Sequence, residues 1–260
     1  MLSVLDALQS QFLTYNRFNP MKFFEYVKRE GGDFKRFLVH PQRRKPNTES
    51  LTAIGARLLF LLALTLLFGI FISVLSTEFL MEWAGAESKM DMKVKYLPTR
   101  ELLIVILFAP VIEELIFRAG LRKAKYSLFV CPPLLALALL APKSALVLAI
   151  VICAIAIIDF FVRKRADAEA KTALKFARAR SYLLRFPWIF WFYSLCFGFV
   201  HMSNYTVSGT PGLLMVVIVA PQFFAGLAVG YLRLRNGILS GMILHASYNC
   251  VLVAISMAAR

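Results

Sequence analysis

Residues 101–121 read ELLIVILFAPVIEELIFRAGL, an apolar run that carries Glu113, Glu114 and Arg118 in its second half. A bilayer core needs about 20 apolar residues in helical form to cross it, and this run supplies them. An ionisable group near the centre of such a helix costs at least about 2.5–3.5 kcal/mol. Each of the three therefore needs a partner or a task. Glu114 and Arg118 stand at i and i+4 and can neutralise each other, whereas Glu113 points about 100° away from its neighbour. The pair reads as structural support, and Glu113 is left as a carboxylate directed at something else.

Outward from this run, further apolar stretches lie at about 58–76, 127–142, 145–162, 187–207, 212–232 and 237–257. The predicted fold is therefore an all-α, polytopic transmembrane helical bundle of about seven spans, with six to eight as the range set by about 20 residues per span. Composition agrees: 59% of the 260 residues are hydrophobic, against about 45–50% in soluble domains. Residues 58–257 form one membrane-embedded domain behind a basic, partly amphipathic segment over 1–57.

A net charge of +15 would suggest nucleic acid in a soluble protein, but here the charge sorts by loop. Ten Lys and Arg lie in residues 1–57, four in 118–126, eight in 163–185 and two in 233–235. The loop from Thr77 to Arg100 is charge-balanced. This is the positive-inside pattern; it puts the N-terminus in the cytoplasm and argues against nucleic-acid binding. No signal-peptide pattern precedes the first long run, so that run is expected to insert uncleaved. Residues 1–50 mix Phe and Leu with bases, which suits an anionic membrane surface. Residues 163–185, RKRADAEAKTALKFARARSYLLR, predict a basic amphipathic helix at the cytoplasmic interface. The four cysteines fall in apolar runs without C-x-x-C spacing and read as packing residues.

Two more polar clusters interrupt apolar helices: His201 in FGFVHMSN, and His245 with Asn249 in MILHASYN. His245 and Asn249 share one face at i and i+4. At about 1.5 Å per residue, Glu114 lies about 12 Å from the end of its run near Arg122, and His245 about 12 Å from the turn at Gly237. His201 measured from Pro187 is about 21 Å deep, which disagrees. Trp188, Trp191 and Tyr193 have the make-up of an interfacial aromatic belt, and starting the hydrocarbon at Tyr193 returns His201 to about 12 Å. Singly, these residues are ordinary packing or interhelical hydrogen-bonding groups. At one depth they describe a shared site.

A carboxylate with imidazoles can activate water for attack on a carbonyl, while an amide and a second imidazole stabilise the oxyanion. A covalent nucleophile is not evident: Ser247 points away from the His245 face, Cys250 follows Asn249 off register, and no G-x-S-x-G occurs. Glu, His and His also make a ligand set, so Glu113, His201 and His245 are the residues that would hold a zinc ion, although H-E-x-x-H is absent. Two other readings use the same bundle: a non-catalytic scaffold or immunity protein, and a proton-coupled transporter.

The motifs resemble those of the CAAX prenyl protease and bacteriocin-processing (CPBP, or Abi) family of intramembrane proteases. Glu113-Glu114-Leu115-Ile116-Phe117-Arg118 matches E-E-x-x-x-R, Phe197 to His201 matches F-x-x-x-H, and His245 to Asn249 matches H-x-x-x-N. The resemblance covers about 101–257. It implies an intramembrane endopeptidase in which Glu113, aided by His201, is the base on water, and His245 with Asn249 stabilises the oxyanion. Phe197, Glu114 and Arg118 would support the site. Family members are often labelled metalloproteases, but a glutamate mechanism without an obligatory metal is the reading favoured here. The implied partners are a peptide or protein substrate, the lipid bilayer, and an anionic lipid or partner protein at the basic segments. The implied location is a bacterial cytoplasmic membrane.

Overall fold

The computed structural model describes residues 20–43, 49–77, 86–88, 98–139, 142–207 and 214–258. Most of the charge-balanced loop over 77–100 and the first 19 residues lie outside them. Helix α1 spans Pro20–Val39 and α2 Leu51–Thr77. A long rod follows: α3 (Thr99–Leu103), a π-helical turn (Ile104–Phe108), α4 (Ala109–Arg118) and a 3-10 turn (Ala119–Leu121). A second π turn (Tyr126–Val130) leads into α5 (Cys131–Leu139), and α6 covers Pro142–Arg165. The longest helix, α7, runs from Ala168 to Val200. Helices α8 (Leu214–Ile218), α9 (Ala220–Asn236) and α10 (Ile238–Ala258) complete the bundle. One short antiparallel pair, β1 (Ala86–Ser88) with β2 (Tyr205–Val207), is the described exception to helix.

The all-α membrane bundle is what the apolar runs require. Among the described residues four helical stretches are long and apolar enough to cross a bilayer: Leu51–Val74, Ala145–Arg165, Ala168–Asn204 and Ile238–Ala258. They carry exposed apolar side chains such as Leu67, Phe71, Ile150, Ile158 and Phe192, as lipid-facing surfaces do. The chain is an integral membrane protein. Helix α9 sits at the centre, packed by α1, α2, α7 and α10, and is buried on nearly every side. Its small residues Ala225, Gly226, Ala228 and Gly230 let neighbours approach closely. At Gly226 a Cβ would stand 2.8 Å from Phe197 Cδ1 and 3.1 Å from Arg118 Nη2, so only glycine leaves the space. Gly237, at φ 108°, makes the sharp turn from α9 to α10 that a side chain would strain.

Two boundaries differ from the sequence reading. The stretch 163–185 is not a separate surface helix: after a break capped by Asp167, whose carboxylate accepts from the Ala170 amide at 2.7 Å, α7 continues from it into the span without interruption. Alanine-rich sequence favours helix throughout, and Pro187 is carried inside it. The same span then ends early, at Val200, because His201 opens a 3-10 turn.

The N-terminal segment also does more than rest on a membrane. Phe34 is buried against Phe224 and Tyr231, and Phe37 meets Phe190 edge-on at 4.9 Å. Glu30, itself buried, receives Arg57 Nε at 2.8 Å and Arg57 Nη2 at 3.1 Å. Arg235 donates to Asp33 at 3.1 Å and to the Tyr231 hydroxyl at 2.7 Å. Helix α1 is thus docked on the ends of α2, α7 and α9 by apolar and ionic contacts together.

Candidate active site

One residue interrupts the hydrogen-bond ladder of the rod that carries Glu113. Pro110 has no N–H and cannot continue the helical ladder. The ladder slips to i+5 instead: the Ala109 amide bonds the Ile104 carbonyl, which makes the π turn. The next carbonyl, that of Val105, would look to the missing Pro110 N–H. Asn249 Nδ2, reaching from α10, donates to it at 3.1 Å. The proline is visible in the sequence; the cross-helix partner is not.

Glu114 and Arg118 pair as their spacing predicts, Nη1 to Oε1 at 2.8 Å, and both are fully buried. The same Glu114 Oε1 accepts from His245 Nδ1 at 3.1 Å. Glu114 therefore orients the imidazole as well as neutralising the arginine. Sequence spacing missed this contact, because the two residues lie on helices far apart in the chain. Arg118 also donates to the Gly226 carbonyl at 3.4 Å and lies 3.8 Å over the Phe197 ring. A cation over an aromatic face in a dry site is well stabilised. Phe197 is thus a platform, and it touches both imidazoles: His201 at 4.7 Å and His245 at 5.5 Å between ring centroids.

His201 Nδ1 donates to the Phe197 carbonyl at 2.7 Å, which leaves Nε2 as the acceptor nitrogen. Its place at the end of α7 explains that bond: carbonyls in a last helical turn lack amide partners. Glu113 is partly exposed, and its Oε2 lies 3.6 Å from His245 Nε2. That spacing is too long for a direct hydrogen bond. Among the described residues, Glu113 Oε2 and Glu114 Oε2 are buried oxygens without a hydrogen-bond partner. Glu114 Oε2 is walled in near Gly241, at 3.5 Å from where a Cβ would stand. Glu113 Oε2 instead faces the imidazoles. Glu113 thus stands beside His245, and Phe197 lies against both His201 and His245, while Asn249, one turn along from His245, holds the Val105 carbonyl.

Among the described residues no group of three His, Cys, Asp or Glu side chains stands close enough together to hold a metal ion. The Nδ1 of His245 is held by Glu114 and the Nδ1 of His201 by a carbonyl, which fixes both rings and leaves each Nε2 free.

With this geometry in place, comparison with known families becomes informative. The model of the Rce1-like family, described as type II CAAX prenyl endopeptidase Rce1-like, matches residues 96–251. The chain belongs to this family. The matched region contains all three motifs and the whole of the polar centre, and it leaves α1 and α2 outside. Membership of the Rce1-like family makes the chain a relative of membrane-embedded CAAX endopeptidases. No curated protein and no solved structure gives a match.

Proposed function

We propose that the protein is an intramembrane endopeptidase that hydrolyses a peptide bond with a water activated by Glu113. The observation that carries this is the asymmetry of the paired glutamates. Glu114 Oε1 is doubly engaged by Arg118 and His245, whereas Glu113 Oε2 is buried, unpartnered among the described residues and turned toward the imidazoles. A carboxylate in that state is a ready proton acceptor for a water attacking a carbonyl carbon. His201 Nε2 is the second acceptor that keeps the water oriented. With Nδ1 already donating to Glu114, His245 would act on the developing oxyanion in its doubly protonated form, through Nε2–H, together with the second N–H of the Asn249 amide. Glu113 then returns the proton to the leaving amine, so the reaction consumes one water and leaves the enzyme unchanged.

The remaining spans complete the topology of this reading. The rod Thr99–Leu121, the Tyr126–Leu139 segment and Ala220–Asn236 are taken as further crossings, for seven in all, with the N-terminus cytoplasmic. The basic ends Arg57, Arg122, Arg233 and Arg235 all collect where α9 turns into α10, which supports that orientation. A bacterial cytoplasmic membrane is the proposed location, and a membrane-associated peptide or protein the substrate.

The test is cleavage by purified protein in detergent, against a panel of membrane peptides that includes C-terminally prenylated ones. Glu113→Gln should abolish cleavage while insertion and melting temperature stay unchanged. Full activity in that variant would sink the mechanism.

A further inference from the structure

A second cluster of arginines lies at the end of the bundle where α9 meets α10, and it differs from its surroundings in making no ion pair among the described residues. Its neighbours are paired: Arg57 with Glu30 and Glu49, Arg235 with Asp33 and Glu49. Arg43, Arg122 and Arg233 make no ion pair among the described residues. They are nonetheless gathered. Arg122 Nη2 donates to the Leu234 carbonyl, next in chain to Arg233. Arg43 sits 6.0 Å over the ring of Tyr182, whose hydroxyl donates to the Gly120 carbonyl two residues before Arg122. Arg122 lies within electrostatic reach of both Arg43 and Arg233.

Like charges held this close are unfavourable unless an anion joins them. Chemistry and location point to one. Arg122 and Arg233 are only partly buried as residues, and the Nε atoms of both lack a hydrogen-bond partner among the described residues. The guanidinium fork matches the oxygens of a phosphate. The location selects the source of that phosphate. The cluster lies in a seam between the end of α4, the end of α9 and the segment after α1, at the level where the basic loops place the membrane surface. Basic pockets between transmembrane helices at this level bind anionic headgroups.

We propose that Arg43, Arg122 and Arg233 form a binding site for the phosphate of an anionic phospholipid headgroup. The site is distinct from the Glu113 centre, and its occupancy does not depend on peptidase activity. Native mass spectrometry tests it, with the full chain purified in detergent and offered phosphatidylglycerol or phosphatidylcholine at equal concentration. The wild type should retain phosphatidylglycerol preferentially. The Arg122→Ala/Arg233→Ala variant should retain at least tenfold less, the Arg122→Lys/Arg233→Lys variant an intermediate amount, and Lys171→Ala/Lys175→Ala on the exposed face of α7 as much as the wild type. Should the double alanine variant not fold, the single Arg122→Gln and Arg233→Gln variants carry the test, each expected to lose at least threefold. Retention equal to wild type in the arginine variants overturns the proposal. So does displacement of the lipid by millimolar inorganic phosphate or by a free peptide carboxylate, which would mark a site for small anions or substrate.

Discussion

Two buried charged clusters in this protein are built from the same residue types and are finished differently. At the docking site of α1, Arg57 donates to both oxygens of Glu30 and to Glu49, and Asn236 closes the set by donating to Glu49 at 3.1 Å and accepting from Arg57 at 2.9 Å. Both oxygens of both carboxylates have a donor. In the polar centre, Glu114 Oε1 takes two donors while Glu114 Oε2 and Glu113 Oε2 take none among the described residues. A saturated cluster can only hold; an unsaturated one retains an oxygen with which to accept a proton. Under this contrast, the first cluster is a fastening and the second a site.

The sharpest way to break the contrast is to remove the spare oxygen chemistry. Glu113→Gln keeps shape and loses the base, so the cleavage rate should fall about 10²–10⁴-fold with little change in melting temperature. A large loss of stability would instead make Glu113 a structural residue. The mirror experiment is Arg57→Ala, which strands the buried Glu30 carboxylate while Glu49 keeps Asn236 and Arg235. It should destabilise by about 3–5 kcal/mol, read as thermal melting in detergent, with partial recovery on adding Glu30→Gln. Similar melting of Arg57→Ala and wild type would end the fastening interpretation.

Between these lies Gly226→Ala, which pushes a methyl into the Phe197 ring and the Arg118 guanidinium. Overpacking of this kind costs about 1–3 kcal/mol. Because the ring supports both imidazoles, kcat should fall further than stability alone explains. Unchanged turnover would show that the Phe197 platform does not position the imidazoles.

The smallest effect concerns pH at the docked helix. Burial raises the Asp33 carboxyl, but hydrogen bonds from Arg36 and Arg235 outweigh it and hold the group below its ordinary value. Its stabilising contribution is therefore complete above the ordinary carboxylate range near about pH 4 and is lost as pH falls through the lowered folded value. Asp33→Asn should flatten that acid limb of the melting profile by about 0.2–1 kcal/mol. An unaltered limb would assign it to other carboxylates.

The membrane-spanning character, the positive ends and the division between Glu113 and the Glu114–Arg118 pair were all legible in the sequence. Length, apolarity and the i, i+4 rule act within one helix, and a linear reading has access to them. The depth argument also brought His201, His245 and Glu114 to one level. The bond from Glu114 to His245, the release of the Val105 carbonyl to Asn249 and the ring of Phe197 between two histidines were not legible, because each depends on how one helix is rotated against another. Helix boundaries failed for a related reason: α7 stops at Val200 where its terminal carbonyls meet His201. The docking of α1 through Phe34 and Glu30 was not legible either, because their partners lie on α2 and α9.

The amino-acid sequence by itself determined that charges would sit in apolar helices and which of them could cancel locally, since those outcomes follow from spacing and the cost of an unpaired charge in hydrocarbon. Only the tertiary structure decided which carboxylate oxygen remains unpartnered, because that depends on donors from other helices, and small residues such as Gly226 set how closely those helices approach.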